Sequence, residues 1–154
     1  MLIKYIHLLT LIVWFGSMIF FSFIAAPSIF SILPKDTAGD VVGDIFPKYF
    51  LIGYISSLLL LGTLLWLGRG QLRAVTVPLS IIFLMTCLTF YSGLIIGTKA
   101  RSIKQEIRQT SEETKKEDLR KAFKKIHGVS MMLNISVIIL SLTYLVFIPK
   151  ILRL

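Results

Sequence analysis

The chain alternates between long apolar runs and short polar connections, and the runs define the architecture. Four stand out, at about residues 5–30, 50–68, 75–98 and 128–149, and none holds Asp, Glu, Lys or Arg between its ends. A bilayer core of about 30 Å takes about 20 helical residues to cross. In lipid each backbone donor and acceptor must be satisfied within its own segment, which selects helix. The pattern predicts an all-α, polytopic membrane protein, a single domain over 1–154 forming an up-down bundle of four transmembrane helices. The first run is too long for the apolar core of a signal peptide. Pro27 directly follows the small pair Ala25-Ala26 and disfavours cleavage there, so the run is read as a retained anchor. Pro27 and Pro34 predict a bend or an end at its far side.

Two connections carry most of the charge. In 34–49, Asp36, Asp40 and Asp44 recur every four residues and share one helical face, with Val41, Val42, Ile45 and Phe46 elsewhere on the circle. This pattern predicts a short amphipathic helix lying at the interface. A solvated acidic face outweighs the other reading, a carboxylate cluster for a cation. In the connection 99–126, Thr110 and Glu113 have capping-box spacing, which predicts a new helix there. Leu119, Ala122, Phe123 and Ile126 follow at helical spacing, with Ile103 and Ile107 placed to face them from an extended third helix. The expected form is a charged helical hairpin running directly into the fourth span.

Composition supports the membrane reading. A hydrophobic fraction of 55% and a mean hydropathy of +0.81 exceed what a soluble domain of 154 residues can hide. The net charge of +9 is concentrated at the ends of the runs, which points to anionic lipid headgroups rather than nucleic acid, for which there is no motif. The lone cysteine, Cys87, allows no intrachain disulfide. With four spans both termini share a side, which holds Lys4, Arg69, Arg73, Lys150 and Arg153; the other side holds Lys35, Lys48 and the ten bases from Lys99 to Lys125. The Lys and Arg excess marks the cytoplasm. The termini are therefore expected on the outer side of the cell inner (cytoplasmic) membrane, with 99–126 in the cytoplasm.

Lipid penalises polar side chains within spans, so these turn toward the bundle interior. His7, Thr10, Trp14 and Ser17 form one such stripe in the first span. His127, Ser130, Asn134, Ser141 and Tyr144 form another in the fourth, and Tyr91 is assigned to the same interior. Gly53, Ser56, Gly93 and Gly97 would allow close helix approach. For Ser130, Asn134 and Ser141, interhelical packing is favoured over ligand binding. His7 and His127 stay open between structural roles and service as single heme or metal ligands. They head opposite membrane faces, about 25–30 Å apart at 1.5 Å per residue, and so cannot share one iron. No catalytic constellation is present: no H-E-x-x-H, no CxxC, no P-loop and no intramembrane acidic pair. The residues themselves predict no cofactor.

Three clusters together resemble the transmembrane protein 205-like family, known in bacteria as a domain of unknown function. They are His7, Trp14-Phe15-Gly16, Ala26-Pro27 and Phe30; then Ala38-Gly39, Gly43, Phe46-Pro47 and Tyr49-Phe50; then Phe123, His127 and Ser130. The resemblance covers nearly the whole chain and implies a four-span protein with no established reaction. In the first span, Lys4-Tyr5-Ile6-His7 with Trp14 and Gly16 also looks like the opening of HemJ-type and copper-resistance D-type membrane proteins. That likeness implies heme b, with His7 as the one matching ligand; the pattern is not continued beyond span one. Three functions follow as expectations: a non-enzymatic membrane protein with a polar interior, a heme- or metal-linked redox protein, or a small exporter acting as a homo-oligomer.

Overall fold

The computed structural model describes residues 1–153, all helical or in short turns, with no strand among them. Four helices are long and apolar enough to cross a membrane: α1 (Leu2–Ile32), α2 (Lys35–Gly68), α3 (Leu72–Gln109) and α4 (Glu113–Leu145). A short α5 (Ile148–Ile151) closes the described chain. The connections are only two or three residues long, so successive helices lie side by side: α1 on α2, α2 on α3, α3 on α4, with α4 returning to α1.

The exterior is apolar. Ile12, Phe23, Phe83 and Met132 are each more than 60% exposed, which is tolerable only against lipid. The interior is a column in which Leu11, Trp14 and Met18 of α1 meet Leu60 and Leu64 of α2, Ile82 and Met85 of α3, and Val137 and Tyr144 of α4.

Local sequence explains the helix limits: of the two prolines expected to bend or end α1, Pro34 ends it, and two other expectations are not met. Pro27 does not end α1. The preceding residues Phe21–Ala25 form a π-helical turn, and the helix continues to Ile32. Proline donates no hydrogen bond and crowds the carbonyl four residues back; a widened turn just before it relieves that conflict. The helix stops instead at Leu33, which is extended ahead of Pro34, as a residue preceding proline prefers. The segment 34–49 is not a separate interfacial helix. It forms the first turns of α2, which runs unbroken through Pro47 into the apolar stretch. Only the composition changes near Phe50, not the backbone ladder. A new helix does begin in this connection, but the capping box is not formed: Thr110 is the C-cap of α3, and α4 starts at Glu113 with Glu112 as an N-cap that makes no side-chain bond.

The charged ends of α3 and α4 pack on each other across Thr110–Glu112, with Ile103 buried between them and Ile107, Leu119, Phe123 and Ile126 half-buried. Asp40 on α2 accepts from Lys104 at 2.6 Å and from Arg108, tying the start of α2 to the end of α3. Outside the apolar run, the Lys104 ammonium and neighbouring Arg108 hold the Asp40 carboxyl below the usual carboxylate range.

Glycine permits close approach at the α2–α3 turn and between α2 and the second half of α3. At Gly68 a Cβ would stand 3.0 Å from Val75 Cγ1, where α2 turns into α3. At Gly93 it would stand 2.8 Å from both Phe50 Cγ and Tyr54 Cζ. Gly93→Val is expected to destabilise the protein by about 1–3 kcal/mol through overpacking, read as a lower melting temperature in mild detergent. Gly128→Ala, with nothing within 4 Å of the added carbon, serves as the control and should match or slightly exceed the parent, since alanine is the better helix former. A melting temperature for Gly93→Val equal to that of Gly128→Ala would contradict this packing.

Candidate functional site: the polar interior

The polar side chains of the interior fall into three levels along the column. At the level of the chain termini, His7 is fully buried between α2 and α4. Its Nδ1 lies 2.7 Å from Thr63 Oγ1 and its Nε2 lies 2.8 Å from the Tyr144 hydroxyl. The Thr63 hydroxyl donates its single proton to the carbonyl of Leu59, 2.7 Å away. Thr63 Oγ1 therefore accepts from His7 Nδ1–H, and His7 Nε2 accepts from Tyr144 O–H. Both ring nitrogens are thus committed.

At mid-depth, Thr10 and Trp14 continue the buried face of α1. Trp14 borders a cavity of about 20 Å³ whose walls include Gly53, Thr89, Ser92, Asn134 and Val137. Such a space admits about one water-sized guest. A Cβ on Gly53 would stand 3.3 Å from Trp14 Nε1 and 2.9 Å from Thr89 Cγ2, so glycine is what lets the indole seat against α2.

On the third level, Tyr49 donates to Asn134 Oδ1 at 2.5 Å, and Asn134 Nδ2 donates to Ser22 Oγ at 2.8 Å. This chain joins α2, α4 and α1. Ser22 belongs to the π-helical turn of α1, and Ser92 to a second such turn, Tyr91–Ile96, in α3.

The stripes read from sequence are partly brought together. His7, Thr10, Trp14, Ser141 and Tyr144 are buried, while Ser17, Ser130 and Asn134 are half-buried. Asn134 does bridge helices, but Ser141 donates to the Val137 carbonyl of its own helix and Ser17 to that of Trp14. In lipid a hydroxyl is satisfied by the carbonyl one turn back at little cost. Two assignments to the interior are corrected. Tyr91 is 49% exposed on the outer surface. His127 is exposed too, its ring stacked on Phe123 one turn earlier at 6.2 Å and 9°. Its neighbours Lys124 and Lys125 share that outward position, because here α4 is still part of the charged extension.

Sequence reasoning missed Thr63, Tyr49 and Ser22. A lone Thr or Ser in an apolar run carries no periodic signal. Tyr49 had one, since it opens the second run one turn from Gly53 and its hydroxyl is carried well beyond the helix backbone.

These residues do not suit an iron site at His7. An axial ligand presents a free nitrogen lone pair, and the one on Nε2 is taken by Tyr144. Among the described residues no three of His, Cys, Asp and Glu come together.

The model of a domain of unknown function, DUF4149, matches residues 9–109. The chain belongs to the DUF4149 family. An uncharacterized protein of Aquifex aeolicus (strain VF5) is 35% identical over 123 residues, covering 80% of this chain and 79% of its own length. No solved structure matches the chain. The DUF4149 match ends at Gln109, where α3 ends, and so includes Trp14, Ser22, Tyr49, Thr63 and Ser92. It omits His7, Asn134 and Tyr144, the partners that complete two of the levels.

Tyr144→Phe leaves His7 Nε2 without a partner in the interior, and is expected to cost about 1–3 kcal/mol. Ser136→Ala removes an exposed hydroxyl bonded only to the Met132 carbonyl of its own helix, and should stay within about 0.5 kcal/mol. Equilibrium unfolding in mixed micelles compares the two. Equal stabilities would mean that the His7–Tyr144 bond does not hold α1 to α4.

Proposed function

We propose that this chain is a non-enzymatic integral membrane protein of the transmembrane protein 205-like kind. In this reading it is an up-down four-helix bundle in the cytoplasmic membrane with both termini outside. The charged helical hairpin formed by 99–126 lies in the cytoplasm against anionic headgroups. The observation that carries the reading is the closure of interior polar groups on one another. His7 is bonded at both nitrogens, and Asn134 is bonded through both its oxygen and its nitrogen. A catalytic site keeps a reactive group facing a space of substrate size; the space that these interior polar groups border is about 20 Å³. Export by this fold would require a homo-oligomer, with the passage between copies.

Two measurements test it. Protein purified in mild detergent is expected to be colourless; a Soret band lost in His7→Ala would establish the heme-linked alternative instead. In a Cys87→Ser background, an impermeant thiol reagent added to intact cells should label R153C and spare K115C. Labelling of K115C would reverse the orientation.

A further inference from the structure

The two ends of the molecule differ in how their charges are used. All eight carboxylate side chains lie at the end of the charged hairpin, among twelve bases. There Lys48 pairs with Asp44, Lys104 and Arg108 with Asp40, and Lys121 with Glu117 and Asp118. The end carrying the termini has Lys4, Arg69, Arg73, Lys150 and Arg153 and no Asp or Glu. Among the described residues none of these five forms an ion pair. Lys4 Nζ donates to the Leu152 carbonyl at 2.7 Å, anchoring the segment after α5 to α1. The Arg69 guanidinium lies 4.7 Å from the centre of the Trp66 ring.

Lys150 and Arg153 are placed otherwise. With Gln71 they line an open groove of about 440 Å³ whose remaining walls are Ala74, Val146 and Pro149. The groove lies where the α2–α3 turn meets α5, at the level where the apolar runs end. Its polar members are two cations and an amide, with no carboxylate among them, and its apolar members continue toward the lipid-facing surface, where Val146 is 76% exposed. That combination matches a ligand that is anionic at one end and apolar at the other and enters from the bilayer side.

We propose that this groove binds an anionic glycerophospholipid. Lys150 and Arg153 hold the phosphate oxygens, the Gln71 side-chain amide donates to one of them, and the glycerol-ester region rests on Ala74, Val146 and Pro149. A free phosphate would use the cations and gain nothing from the apolar wall, which favours the lipid as the occupant. The site is distinct from the charged hairpin at the opposite end and does not depend on which end faces the cytoplasm.

The test uses the full chain in mild detergent, titrated with phosphatidylglycerol, phosphatidylcholine or inorganic phosphate and read by native mass spectrometry. Phosphatidylglycerol should give a saturable one-to-one adduct. It should bind K150A/R153A about 30-fold more weakly, since each basic residue near a lipid surface contributes about a factor of five. K35A/K48A, which removes the same charge at the other end but outside the 99–126 hairpin, should bind as the parent does. K150Q and R153Q measured singly decide the matter if the double variant melts early. Equal binding of phosphatidylcholine, retention of the adduct by the charge-removed groove variants, or competition by millimolar inorganic phosphate would each overturn the proposal.

Discussion

Hydrocarbon offers a polar group no partner, and an unsatisfied donor or acceptor there costs several kcal/mol. That constraint accounts for more of this structure than apolar contact does, because lipid tails are as apolar as the side chains they meet and helices gain little from exchanging one for the other. Most intramembrane hydroxyls meet the constraint locally, as Thr76, Ser80, Thr86 and Thr89 do along α3 by donating to carbonyls one turn back. A histidine and an asparagine cannot be satisfied that way. Their two-ended side chains reach neighbouring helices, and so His7 and Asn134 become the ties between α1, α2 and α4.

The two ties lie toward opposite ends of the column, with the Trp14 level between them. Both π-helical turns lie toward the Asn134 end, one carrying Ser22 and the other Ser92. A π-helical turn accommodates an extra residue and changes which side chains face inward beyond it. In α1 this brings Ser22 within reach of Asn134; in α3 it accompanies the outward placement of Tyr91 beside inward Ser92 and Gly93.

Much of the architecture was legible because spans are written as uninterrupted apolar runs, and length alone makes them helices. The buried face of α1 was legible for the same reason: His7, Thr10 and Trp14 keep a helical period among aliphatic residues. What escaped had specific causes. The acidic face of 36–44 looked like an independent helix because composition changes at Phe50, while the backbone of α2 passes through unchanged. His127 continued the period of Asn134, Ser141 and Tyr144, yet it stands where α4 is still outside the bundle, and periodicity does not record where a helix enters its packing environment. Thr63 and Ser22 were invisible because a small hydroxyl in an apolar run looks the same whether it serves its own helix or a neighbour's.

The seating of Trp14 has one more consequence. The chain holds two tryptophans, and they sit in opposite surroundings: Trp14 is 2% exposed between helices, and Trp66 is 54% exposed beneath the Arg69 guanidinium. A quencher dissolved among acyl chains collides with the second and is screened from the first for as long as the helices stay together. The protein thus contains its own optical reference and its own assembly sensor, and the ratio of the two emissions reports helix separation within a bilayer without any attached label.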